Sequence, residues 1–207
     1  MTFIEFQHRL SSFPIFSLQD VKKAFGDFSY RQLDRWEKKG YLKKIKRGFY
    51  CFSTQNIHEN FLFYAANKIY TPSYISLEMA LRYYNLIPEE VFQVTSMSTK
   101  KTTRFETRIG NFSYRHIKPR LYWGYQLIEF GKQRICLAEP EKAVLDYLYI
   151  HPKLKTIEDF LGMRIDVDEF RSRINLEKFQ KYVEAFHHKQ LSKRAHTFLT
   201  TLQHDNA

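Results

Sequence analysis

Between positions 29 and 47 the chain carries Ser29, Arg31, Gln32, Arg35, Lys38, Lys39, Lys43, Lys44, Lys46 and Arg47. Almost all of these side chains are hydrogen-bond donors with positive charge, the chemistry that neutralises phosphate. Arginine also grips guanine through two hydrogen bonds, and glutamine grips adenine in the same way. A recognition helix normally enters the major groove by its N-terminal end. Arg31, Gln32 and Arg35 are therefore the candidates for base edges, with Lys38 and Lys39 continuing their face. Ser29 is placed to cap that helix and to touch phosphate, because free amides at a helix start attract anions. Lys43, Lys44, Lys46 and Arg47 follow on a β-ribbon suited to phosphate contact or minor-groove insertion. A plainer reading stands beside this one. Asp34 could pair with Lys38 on a solvated helix, and lysines on an edge strand deter pairing with another chain.

Helices and a hairpin must position these groups. Phe3, Phe6 and Leu10 recur at helical spacing over residues 2–10. Ser17 can cap a second helix bearing Leu18, Val21, Ala24 and Phe25, ended by Gly26. A third runs from Ser29 to about Lys39, with Leu33 and Trp36 inward and Gly40 at its left-handed end. The period then changes. Residues 41–45 and 49–52 read as strands joined by Lys46-Arg47-Gly48. Helix, turn, helix and hairpin make a winged helix-turn-helix over residues 1–56. Trp36, Tyr41, Phe49 and Phe52 are expected in its core, since a small domain needs its rings inside.

Residues 57–207 read as a second, α+β domain: mixed α/β, with an antiparallel sheet and C-terminal helices. Helices are expected over 57–70 and 76–84, and strands over 91–97, 103–109, 112–117, 125–130 and 134–138. Gly110 and Gly131 mark tight turns. Pro140 opens a helix, and further helices are expected at 154–163, 175–187 and 191–202, with a frayed tail from His204 to Ala207.

The chain has 207 residues and a net charge of +11, which favours a polyanionic partner. Residues 1–56 hold eleven Lys/Arg against five Asp/Glu, so the excess concentrates where the helix and ribbon lie. No apolar run approaches the roughly 20 residues of a membrane helix. The N-terminal MTFIEFQHRL includes Glu5 and no cleavable apolar segment, so no export signal and a cytoplasmic protein are expected. Cys51 and Cys136, 85 positions apart, read as buried free thiols.

Catalysis has one candidate locus. Glu139, Glu141, Lys142 and Asp146 follow a strand, and gathered carboxylates could hold Mg²⁺. Their spacing is not the strand-borne D…ExK arrangement of nucleases, and the glutamates also suit a helix start. The eight histidines lack partners at ligand spacing, and no glycine-rich phosphate loop or CxxC pair occurs. No metal, cofactor or enzymatic activity is expected. The alternative is a metal-dependent nucleic-acid-processing enzyme targeted by the winged helix.

Three stretches resemble a known family. RQLDRWEKKGYLKKIKRGFY (31–50), YISLEMALRYYNLIP (74–88, with Asn85 where glycine is expected) and ICLAEPEKAVLDYL (135–148) are similar to segments of AbiEi-type antitoxins of abortive-infection, type IV toxin–antitoxin systems. The resemblance implies a winged-helix repressor that binds double-stranded DNA at its own promoter. It also implies an antitoxin opposing a nucleotidyltransferase-like toxin from the neighbouring gene.

Overall fold

A computed structural model of the chain describes residues 1–204. Of the tail expected to fray, His204 is helical, and residues 205–207 lie outside the described residues. Local rules set the first three helices. Thr2 caps α1 (Phe3–Leu10) by accepting from the Glu5 amide, while Glu5 accepts from the Thr2 amide at 2.8 Å. Ser17 and Asp20 make the same reciprocal box at α2 (Leu18–Phe25). The third helix, α3, spans Arg31–Lys38.

Two of the strands beyond it, β2 (Leu42–Lys46) and β3 (Phe49–Phe52), form the expected hairpin. The periodicity did not foretell β1 (Phe16–Ser17), two residues that pair antiparallel with β3 and complete the order β1-β3-β2. Phe6, Leu10, Phe16, Val21, Leu33, Trp36, Leu42, Tyr50 and Phe52 pack as one core between these helices and strands. Ile15, Ile45 and Cys51 come from the same stretch of chain but belong to the larger core beyond it.

That larger core surrounds a six-stranded sheet. Its elements in chain order are α4 (Glu59–Ile69), β4 (Ser73–Ile75), α5 (Leu77–Tyr83), β5 (Gln93–Ser98), β6 (Thr103–Thr107), β7 (Gly110–His116), β8 (Tyr125–Phe130) and β9 (Gln133–Ala138). Then come α6 (Pro140–Ile150), α7 (Ile157–Leu161), α8 (Val167–Arg173), α9 (Leu176–Ala185) and α10 (Lys189–His204). The α+β class is as read from the sequence.

The expected antiparallel pairing holds for the edge hairpins β6–β7 and β8–β9 and for β4–β5. It does not hold throughout, because β5–β7 and β4–β9 are parallel in the order β6-β7-β5-β4-β9-β8. Each parallel pair forms because a strand inserts beside a non-consecutive neighbour, and side-chain alternation does not encode that choice. The turn expected around Gly110 lies earlier, with Thr107 already opposite Gly110.

Helices cover both faces of the sheet. Tyr114 donates from its hydroxyl to the Ala66 carbonyl of α4 at 2.8 Å, so Phe112 and Tyr114 point to the α4 face. Thr95 and Tyr74 point the other way. Thr95 donates to the Ser76 carbonyl ahead of α5 at 2.7 Å, and Tyr74 donates to Asp146 of α6 at 2.8 Å.

Candidate nucleic-acid interface

Helix α3 has apolar residues on one side only. Leu33 and Trp36 are buried, and Phe3, Phe6 and Phe28 pack around the indole. Arg31, Arg35 and Lys38 recur at i, i+4 and i+7, so they form one stripe along the solvent side. All three are exposed, as is Lys39. Gln32 is only half exposed, and its carboxamide oxygen is buried without a hydrogen-bond partner. It therefore turns more inward than a base-reading residue should.

Ser29 does not cap. Tyr30 occupies the cap position with φ −60° and ψ −17°, and no side chain caps the helix there. A capping side chain needs extended backbone beneath it. Here the helical conformation begins early, and the Ser29 carbonyl instead accepts from the Gln32 amide at 2.9 Å. Ser29 remains exposed beside the helix start.

The end of α3 aims the wing. Gly40 has φ +74°, its amide donates to the Glu37 carbonyl, and the Tyr41 amide donates to the Trp36 carbonyl, both at 2.9 Å. These two bonds are the Schellman arrangement, which reverses the chain at a left-handed residue. The chain enters β2 two residues later. At the far end Arg47 and Gly48 form a two-residue turn, with Gly48 at φ +85°. The Gly48 carbonyl accepts from the Leu18 amide at 3.0 Å, fastening the wing tip to the start of α2.

The wing's basic residues divide into two groups. Arg47 is exposed and Lys43 and Lys44 are half exposed. Arg31, Arg35, Lys38, Lys39, Lys43, Lys44 and Arg47 have no side-chain hydrogen bond or ion pair among the described residues. The Asp34–Lys38 pairing of the plainer reading is not formed. The acid of α3 that is paired is Glu37, held by Arg108 of the β6–β7 turn at 3.2 Å.

Lys46 behaves differently, and its expected phosphate role is corrected. The register of β2 slips between Lys44 and Lys46, redirecting the strand. The Lys46 ammonium donates to the Ile69 carbonyl at 3.0 Å and lies 3.9 Å from the centre of the Phe105 ring. Burial, and then the nearby charge of Lys100, push its pKa below the usual lysine range. Phe105 faces α4, so this lysine ties the wing to the six-stranded sheet. Tyr41 is a second correction: it is 44% exposed and lies over Phe3, while Trp36 and Phe52 are buried as expected.

The cluster considered for metal chemistry has a structural geometry. Lys142 and Asp146 are 0% exposed and form an ion pair one helical turn apart. Lys142 also donates to the Tyr74 hydroxyl at 2.8 Å, and Ser76 donates to Asp146 at 2.9 Å. The Trp123 and Phe186 rings flank the ammonium. Burial lowers the Lys142 pKa, with Asp146 opposing that shift. Glu141 accepts from the Asn175 amide at 3.0 Å, and Lys178 bridges Glu139 and Glu141 at 3.2 Å each. Glu139 also accepts from the Tyr182 hydroxyl. These groups fasten α6 to β4 and α9. Tyr74, Ser76 and Lys178 lie 37 to 72 positions from their partners, so local spacing gave no sign of them. Among the described residues no cluster of His, Cys, Asp and Glu could hold a metal ion.

Both cysteines are free. Cys51 is buried, which pushes its pKa up to about 11, whereas Cys136 is only partly buried. No described helix is long and apolar enough to cross a membrane.

Residues 5–53, from α1 to the end of the wing, match the family described as transcriptional regulator, AbiEi antitoxin. The resemblance carried by the helix-to-wing stretch is thus shown for the region that holds the basic stripe. The stretches at 74–88 and 135–148 lie outside that match. No curated protein matches the chain.

Proposed function

We propose that the protein is a DNA-binding transcriptional regulator that represses its own operon and serves as the antitoxin of a type IV toxin–antitoxin system in the cytoplasm. One observation carries the reading. The segment that matches a regulator family also holds seven cations on α3, its C-terminal end and the wing with no hydrogen-bond or ion-pair partner among the described residues. Uncompensated charge grouped on a helix and the ribbon behind it is what a phosphate backbone compensates. In this reading Arg31 and Arg35 meet base edges. Ser29, Lys38 and Lys39 lie beside the backbone, and Lys43, Lys44 and Arg47 hold phosphates from the wing. Gln32 takes a lesser part. The six-stranded portion, with α6 locked by the Lys142–Asp146 pair, supports antitoxicity toward a nucleotidyltransferase-like toxin, and no catalytic step is assigned to it.

Gel-shift titration against the chain's own upstream region tests the proposal. Arg31→Ala and Arg35→Ala should each weaken operator binding by about 1–3 kcal/mol while affecting random duplex less. Absence of binding at low salt, or equal losses on operator and random DNA, would refute it.

A further inference from the structure

On the sheet face opposite the winged helix lies a groove of about 460 Å³. Arg104 of β6 and Arg115 of β7 form one wall; Leu77 and Glu78 of α5 and Ile150 and His151 at the end of α6 form the other. Arg104 stands opposite Ser113, and Arg115 is two residues further along β7, so both guanidiniums project from the same face. Both are exposed, and neither has an ion pair among the described residues. Arg104 makes one long hydrogen bond, 3.4 Å, to the Gln93 carboxamide oxygen. The Gln93 side-chain amide nitrogen, on the groove floor, is buried and has no acceptor among the described residues.

We infer that this groove binds a nucleoside phosphate, with the phosphate between Arg104 and Arg115 and the base toward Leu77, Ile150 and His151. Two guanidiniums without an ion pair among the described residues suit a doubly charged phosphate, which each can grip by a fork of donors. The Gln93 amide supplies a further donor that the fold leaves unused. Glu78, the groove's carboxylate, would repel an anion beside it, which assigns the phosphate to the strand wall and an amino-bearing base to the helix wall. The volume is that of a small-ligand site.

A duplex lying on α3 is not the occupant. Arg104 and Phe105 are consecutive on β6 and point to opposite faces, and it is Phe105 that meets Lys46 of the wing. The groove therefore faces away from the side on which the wing docks.

Calorimetric titration of the intact chain with AMP and with GMP tests this. Saturable binding of one or both is expected. Arg104→Gln and Arg115→Gln, both at exposed positions, should each weaken it about ten- to hundred-fold. Arg134→Gln, an exposed arginine on β9, should leave it unchanged, as should Arg31→Ala with Arg35→Ala. Three results would overturn the assignment: no saturable binding at millimolar nucleotide, loss of binding in the α3 variant instead, or inorganic phosphate binding as tightly as the nucleotides.

Discussion

Lys44 and Lys46 lie on the same wing strand, yet their replacement should have unlike consequences. Lys44 is half exposed with no partner among the described residues, whereas the Lys46 ammonium donates to Ile69 and sits against Phe105. A lysine that meets one phosphate releases about 0.9 of a counterion. At roughly 0.15 M salt that is worth about 0.7 log units, near fivefold in affinity or about 1 kcal/mol. Lys44→Ala should therefore weaken binding to any duplex about fivefold and make the slope of log affinity against log salt about 0.9 less steep. Lys43 and Arg47 would then leave roughly −2 from a wing slope of roughly −3. Lys46→Met keeps the stem and removes the charge. It should leave the slope unchanged but strand the Ile69 carbonyl, costing about 1–2 kcal/mol of folding stability. Fluorescence anisotropy with a random duplex across 50–200 mM salt reads the first effect, and urea unfolding reads the second. A shallower slope for Lys46→Met, matching that for Lys44→Ala, would show that Lys46 reaches phosphate and that the inward geometry does not govern binding.

Two further outcomes concern the scaffold. Asp146→Ala should cost about 3–5 kcal/mol in urea unfolding, because it leaves the buried Lys142 charge without its counterion. Lys142→Met combined with Asp146→Leu should recover much of that loss; a double variant as unstable as the sum of the singles would contradict a structural ion pair. Asp20 sets a pH dependence. Burial raises its pKa, but the Ser17 amide and hydroxyl and the Lys68 ammonium together hold it below the usual 3.8. Because the folded value is the lower one, its stabilisation is complete above about pH 4 and is lost as pH falls through the folded pKa. Asp20→Asn should weaken this dependence below about pH 4 in acid-unfolding curves, and an unchanged profile would count against the capping carboxylate as its source.

Much of the N-terminal architecture was legible because its signals are local. Ser17 with Asp20 three residues later, the inward pair Leu33 and Trp36, and the glycines at 40 and 48 each act within one turn of chain. What escaped depends on distant neighbours. A two-residue strand at Phe16 has no periodicity to detect and exists only because β3 pairs with it. Parallel pairing of β5 with β7 is a choice between strands of similar pattern. Among the candidate interface residues, Arg31, Arg35, Lys38 and Lys39 lie on the side that helical spacing assigns them. Lys46 departs because a register slip in β2 and a ring on a strand 59 positions away redirect it. The helix expected at 154–163 is a five-residue turn-and-a-half, and α8 was absent from the expectation, since Ile165, Phe170 and Ile174 bury only through contacts made by the rest of the fold.

Ile15, Ile45 and Cys51 carry the N-terminal segment into the interior of the six-stranded portion. A fragment ending at residue 56 would present these three side chains, all 3% exposed or less in the whole chain, to water. The matched segment is thus shorter than the piece that stays dry by itself. Any force that shifts the far hydrophobic interior acts, through Ile45, on β2, the strand that carries Lys43 and Lys44.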